Sequence, residues 1–183
     1  MSSLKKFSLI TLPIFFIYAI FSLACATTNS TETPVFDVSY EYESENPAVS
    51  VFISPQIGYY WSEKGFSQFN CYFTNNTNSI IKIVWEGSGI HYGGNSYLLF
   101  VDGQKYIEAS SNPLPASIIP RNGKLQKAVF SSQQPQFVTG QYGGWRMHPI
   151  ESNYVEIMFQ IDTPTNTEYI TAKIRYHFES KNQ

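Results

Sequence analysis

The side chains able to do chemistry are few and scattered. Two cysteines, Cys25 and Cys71, and three histidines, His91, His148 and His177, are the soft and imidazole ligands available in 183 residues. None stands at an H-x-x-H, H-E-x-x-H or C-x-x-C spacing, so a metal centre would have to assemble from distant loops, His91 with His148 first. His177 alternates with Lys173 and Arg175 and reads as a solvated strand residue. No serine sits in a G-x-S-x-G elbow. Asp37, Glu41 and Glu43 alternate along one stretch, where a wet strand face explains them better than a glycoside-cleaving pair. The expectation is a noncatalytic protein with no metal and no cofactor. Aromatic residues are the stronger signal. Tyr59, Tyr60 and Trp61, then Tyr92, then Tyr142, Trp145 and Arg146 lie in or beside glycine-bearing segments. Exposed there, rings stack on sugars or form a protein-binding hot spot; buried, they close the ends of a core. Tyr60, Trp61, Tyr92, Tyr142 and Trp145 are therefore the candidate ligand contacts.

The address of the chain is written at its start. Lys5 and Lys6 precede the apolar run FSLITLPIFFIYAIFSL, and no further charge occurs before Glu32. This is the basic and apolar arrangement of a secretory signal. The end of the run, Phe21-Ser22-Leu23-Ala24-Cys25, resembles the lipobox of bacterial lipoproteins, with Ser22 where that family most often carries Leu. The resemblance implies a diacylglyceryl group on the Cys25 thiol, cleavage after Ala24 and acylation of the new amino terminus by a fatty acid such as palmitate. It also implies that the membrane is a partner, held through covalent lipid on the extracytoplasmic side of the cell envelope. Ala26 stands where Asp resembles an inner-membrane retention signal, which favours the outer membrane in a host that has one. Two other readings stay open. Ala24-Cys25-Ala26 also fits an ordinary A-x-A cleavage site, which would release a soluble chain from Thr27. The apolar run could instead stay as an anchor, although Pro13 lies inside it and it is short for a span.

Composition limits the size of the domain and the kind of partner it can take. The formal net charge is −2, and loss of residues 1–24 removes two lysines and no acid, leaving ten basic against fourteen acidic side chains. No nucleic-acid-binding face is implied. About 160 mature residues suit one domain with its own core. Charged residues make up 14% and aromatics 16%, so Tyr, Asn, Ser and Thr must supply much of the surface, as in β-structure. Lipidation of Cys25 would leave Cys71 alone, and its place between Phe69 and Phe73 reads as a buried, inert thiol; a Cys25 to Cys71 bridge is the rival use. Asn29-Ser30-Thr31 and Asn75-Asn76-Thr77 are formal glycosylation acceptors, which matter only for a eukaryotic secreted protein.

The elements that would position the aromatics are strands. After a polar tether closed by Pro34, Phe36, Val38, Tyr40 and Tyr42 alternate with polar residues. Residues 49–53 form a short apolar strand, which Ser54-Pro55 should end. Residues 66–74 and 80–86 read as a hairpin around Asn-rich turn residues, with Phe69, Cys71, Phe73, Ile81, Ile83 and Trp85 in a common core. The line FTNNTNSIIKIVW resembles the strand-turn-strand of immunoglobulin-like domains found in many exported bacterial lipoproteins. Residues 87–95 read as a glycine-rich loop without the features of a phosphate-binding loop. Residues 96–101 and 104–109 suggest a hairpin around Asp102-Gly103, residues 112–120 an extended loop or edge connection, 124–131 a strand and 132–149 a long irregular segment. Two regular strands, over 154–161 and 169–178, close the chain. The expected fold is an all-β, immunoglobulin-like antiparallel sandwich of about eight strands, preceded by a signal helix, with a closed barrel as the alternative. The expected domains are a signal peptide over 1–24, the lipidated cysteine and tether over 25–34, and one extracytoplasmic domain over 35–183.

Overall fold

The computed structural model describes residues 32–103, 114–141 and 143–179. The signal helix, Cys25 and most of the tether therefore lie outside the described residues, as does the second half of the hairpin expected around Asp102-Gly103. Eleven strands occur among the described residues: β1 (Thr33–Tyr42), β2 (Val49–Tyr60), β3 (Glu63–Asn75), β4 (Ile81–Tyr92), β5 (Asn95–Val101), β6 (Ser117–Ile119), β7 (Lys124–Ser131), β8 (Pro135–Val138), β9 (Gly144–Met147), β10 (Tyr154–Asp162) and β11 (Thr167–Glu179). The described residues are all-β and antiparallel. Eight strands hydrogen-bond in the order β1-β11-β10-β4-β5-β7-β3-β2, β6 adds to β4, and β8 with β9 makes a separate hairpin.

The path folds over on itself because β5 changes partners along its length. Residues Asn95 to Leu98 pair with β4, and Leu99 to Val101 pair with β7. A strand that switches partners in this way turns a corner between two packed layers. The inner faces of β3 and β10, which are not neighbours in the path, consequently meet: the Phe73 and Phe159 rings pack perpendicular at 5.1 Å, with Trp85 against both. Phe69, Cys71, Ile81, Ile83, Ile157, Ile161 and Ile174 are fully buried around them. Each such side chain contributes about 1.5–3 kcal/mol of burial if large. The two path ends also approach, the Ile53 backbone N–H donating to the Tyr40 hydroxyl at 2.8 Å. The result is a nearly closed, barrel-like sheet.

Four expectations need correction. Strands β3 and β4 share a core but not a ladder, so residues 66–86 are not a hairpin. The cause is the turn: the buried Asn75 amide donates to the carbonyls of Ser79, Ile119 and Pro120, and its oxygen accepts from Thr77. That network builds an arch that carries the chain from one layer to the other. Strand β2 continues through Pro55 to Tyr60, with a register shift against β3 between Gln56 and Ile57. Pro55 has the same orientation as Ile53, whose N–H points away from β3, so on this edge strand its missing donor costs no ladder bond. The glycine-rich stretch is mostly strand: β4 continues to Tyr92 through a bulge opposite Met158 and Gln160, and Gly93-Gly94 alone form the turn, both with positive φ. Finally, the segment expected to be irregular contains the β8–β9 hairpin. The final pair forms as read, β10 against β11 from Tyr154↔Arg175 to Asp162↔Thr167, and β7 keeps the bounds expected of it.

Candidate functional site: an aromatic end built by two hairpins

The β2–β3 ladder closes at Tyr60↔Glu63, leaving Trp61 and Ser62 as a two-residue turn. Trp61 takes φ 56. A positive φ at the first turn position, with none at the second, is the pattern of a II′ hairpin turn, a place glycine ordinarily fills. A bulky residue held there is strained, and its ring gains nothing from packing in return: Trp61 is 90% exposed and Tyr59 is 68% exposed. Only an edge contact with Tyr60, at 6.4 Å between centroids, touches the indole among the ring pairs of this turn.

The second hairpin, β8–β9, pairs Phe137 with Trp145 and stacks them edge-on at 5.7 Å. Phe137 is 61% and Trp145 40% exposed. Both hairpins belong to one end of the domain, and the contacts that join them are specific. The Phe66 and Ile150 backbones exchange two hydrogen bonds, Phe66 N–H to Ile150 O at 3.1 Å and Ile150 N–H to Phe66 O at 2.8 Å. Gly65 has no room for a Cβ because the Ile150 carbonyl lies against it. Gln134 donates to the Phe66 and Ser67 carbonyls, and its own backbone carbonyl accepts from His148 N–H. The His148 ring lies 4.1 Å from the Tyr60 ring, and its Nδ1 is 2.9 Å from Glu63 Oε2. Bonding to the carboxylate places a proton on Nδ1, and the ring's other nitrogen, Nε2, is buried with no hydrogen-bond partner among the described residues. Tyr60 covers the ring, and the His148–Glu63 pair ties the two hairpins together.

The candidates named from sequence thus divide. Trp61 and Trp145 are exposed at one end, and Tyr60 is half-buried there, its ring against His148 and edge-on to Trp61. Tyr92 belongs to the edge of the core, its hydroxyl bonded to Ser131 at 2.9 Å and its ring 4.6 Å from Tyr97; burial raises its phenol pKa. Tyr142 and Cys25 lie outside the described residues. His91 bonds Ser96 across the β4–β5 turn, and His177 is half-exposed beside Asp37. Among the described residues no group of three or more metal-ligating side chains converges. Cys71 is buried, and desolvation pushes its thiol pKa far up, away from nucleophilic chemistry. Asn75 is only 1% exposed, and both the nitrogen and the oxygen of its side-chain amide are hydrogen-bonded. Sequence reasoning missed Phe137 and Glu63. The signal for Phe137 was the pair of short stretches 135–138 and 144–147 on either side of a segment containing Gly140 and Gly143.

The opposite end is polar. There the turn before β2, the β3–β4 arch and the β10–β11 turn border an open groove of about 640 Å³, lined by Asn46, Ser50, Asn76, Thr77, Thr163 and Asn166 among others. Among the described residues no helix is long and apolar enough to cross a membrane. No protein-family model matches the chain, and a search of curated proteins finds no relative.

Proposed function

We propose that this is a lipid-anchored, noncatalytic interaction module of the bacterial cell envelope. Its domain is of the immunoglobulin-like sandwich type, tethered through Cys25 and making contact through the aromatic end. The observation that carries the reading is Trp61: a strained, 90% exposed indole at a hairpin tip beside a second exposed aromatic hairpin. Strain of this kind persists where it serves contact, because packing gives no return for it. Anchoring rests on the lipobox-like run to Cys25. Two or three acyl chains hold a domain stably where one would be marginal.

Two measurements test this. The mass of the mature chain made in a bacterium, beside Cys25→Ala, should give an N-terminal Cys25 carrying acyl chains; an unmodified chain beginning at Thr27 would replace the anchored module by a freely secreted binder. Incubation with wall and surface polysaccharides should leave them at their original length. Shortened products would establish the competing reading of a glycan-cleaving surface enzyme.

A further inference from the structure

Strand β1 begins at the same end of the domain that carries the exposed aromatics. Strand β1 begins at Thr33 and runs antiparallel to β11, which ends at Glu179. The start of β1 and the end of β11 lie beside the first turn of β3. The Phe36 ring is 6.4 Å from the Phe66 ring, and the Lys64 ammonium sits 3.3 Å over the Phe178 ring. Lys64 pairs with Tyr59 two positions from Trp61, and Phe66 is hydrogen-bonded to Ile150, just beyond β9. Five features therefore share one end: the start of β1, Tyr59, Trp61, Phe137 and Trp145.

Given the anchoring proposed above, on which this step rests, chain length decides what that end faces. Seven residues lie between Cys25 and Thr33, and the eight Cα-to-Cα steps reach at most about 28 Å fully extended. Strand β3, thirteen residues long, spans roughly 43 Å at the usual rise. The tether is shorter than the domain, so the end at which β1 begins is held nearest the lipid. Tryptophan and tyrosine are the residues that favour the headgroup boundary, where an apolar ring with a polar edge meets half-wet surroundings. The charges at this end show no basic excess, Lys64 and Arg146 standing against Glu63, Glu151 and, just before β1 and at the end of β11, Glu32 and Glu179. A patch of that kind suits a neutral interface reached by ring insertion, without dependence on anionic lipid.

We infer that the partner of the aromatic end is the bilayer on which the protein is anchored. Tyr59, Trp61, Phe137 and Trp145 seat in the headgroup region and fix the domain upright, with the polar turns of the opposite end directed away from the membrane. The lipid then sets distance and the rings set orientation. A soluble glycan or protein at the same rings is the competing occupant.

The test uses the full lipidated chain in phosphatidylcholine vesicles, with and without brominated acyl chains. Its fluorescence is read as the difference between the native protein and Trp61→Phe. The difference isolates Trp61 from Trp145 and from Trp85, which is buried and serves as the unchanged reference. The expected result is emission from Trp61 shifted to shorter wavelength, quenched by the brominated lipid, shielded from aqueous acrylamide and unaltered by salt. A protein that floats with the vesicles while Trp61 stays open to acrylamide and unquenched by lipid overturns this inference alone and assigns the tip to a soluble partner. A protein that fails to float overturns the anchoring and this inference together.

Discussion

Substituting Trp61 by glycine and, separately, by alanine asks whether the turn conformation holds in solution. In an ordinary hairpin or strand position glycine is the worse residue, by about 0.5–1 kcal/mol relative to alanine, because it loses more backbone freedom on folding. At φ 56 the order should invert. A left-handed conformation costs a residue with a Cβ about 1–2 kcal/mol, a cost alanine inherits from Trp61 and glycine escapes. Subtracting glycine's entropy leaves Trp61→Gly more stable than Trp61→Ala by roughly 0.5–1 kcal/mol. The ring itself matters little. With 90% of it exposed, its covered part is worth on the order of 0.5 kcal/mol at about 25 cal per Å², so Trp61→Gly should fall near the native protein. Urea unfolding followed by far-ultraviolet circular dichroism measures this through the midpoint, the slope remaining constant across the three proteins. The corresponding difference in Tm between the two variants is about 2 °C. Equal stability of the two variants, or alanine above glycine, would refute the left-handed turn; a loss above about 2 kcal/mol in both would place Trp61 in the core and remove the basis for the contact site.

Three further outcomes follow from the packing and the ionisable groups. Asn75→Ala removes the donor to three carbonyls and the acceptor for Thr77 at the β3–β4 arch, and should cost about 2–3 kcal/mol in chemical unfolding; a change under about 0.5 kcal/mol, the size of an ordinary surface substitution, would mean that the arch forms without it. Cys71 should resist alkylation at mildly alkaline pH in the folded protein and react only after denaturation, since burial raises its pKa and covers the sulfur; rapid native labelling read by mass would contradict this. Burial also raises the phenol pKa of Tyr40, Tyr92 and Tyr176 above the ordinary 10.0. The folded state therefore holds these protons more tightly than the unfolded one, so their stabilisation is complete below about pH 10 and declines as pH rises beyond it. Urea midpoints that stay constant from neutral pH into the strongly alkaline range would show that the phenols ionise in place.

The local pattern of the chain determined its strand content and much of its core. Period-two alternation at Phe36 to Tyr42 and at Val155 to Ile161 chose the inner faces, because a strand can bury only alternate residues. It also placed Phe69, Cys71 and Phe73 with Trp85 in one interior. Which strands pair was not local. The Asn75 arch, the partner switch within β5 and the passage of β2 through Pro55 all depend on hydrogen bonds to residues distant in sequence, such as Ile119, Pro120 and Tyr40. The same holds for the aromatic end. Sequence named Trp61 and Trp145 as rings near glycines, but exposure and core burial give identical patterns in short turn segments. Only the docking of the two hairpins, through Phe66 with Ile150 and Glu63 with His148, brought those rings to one end, beside the start of β1.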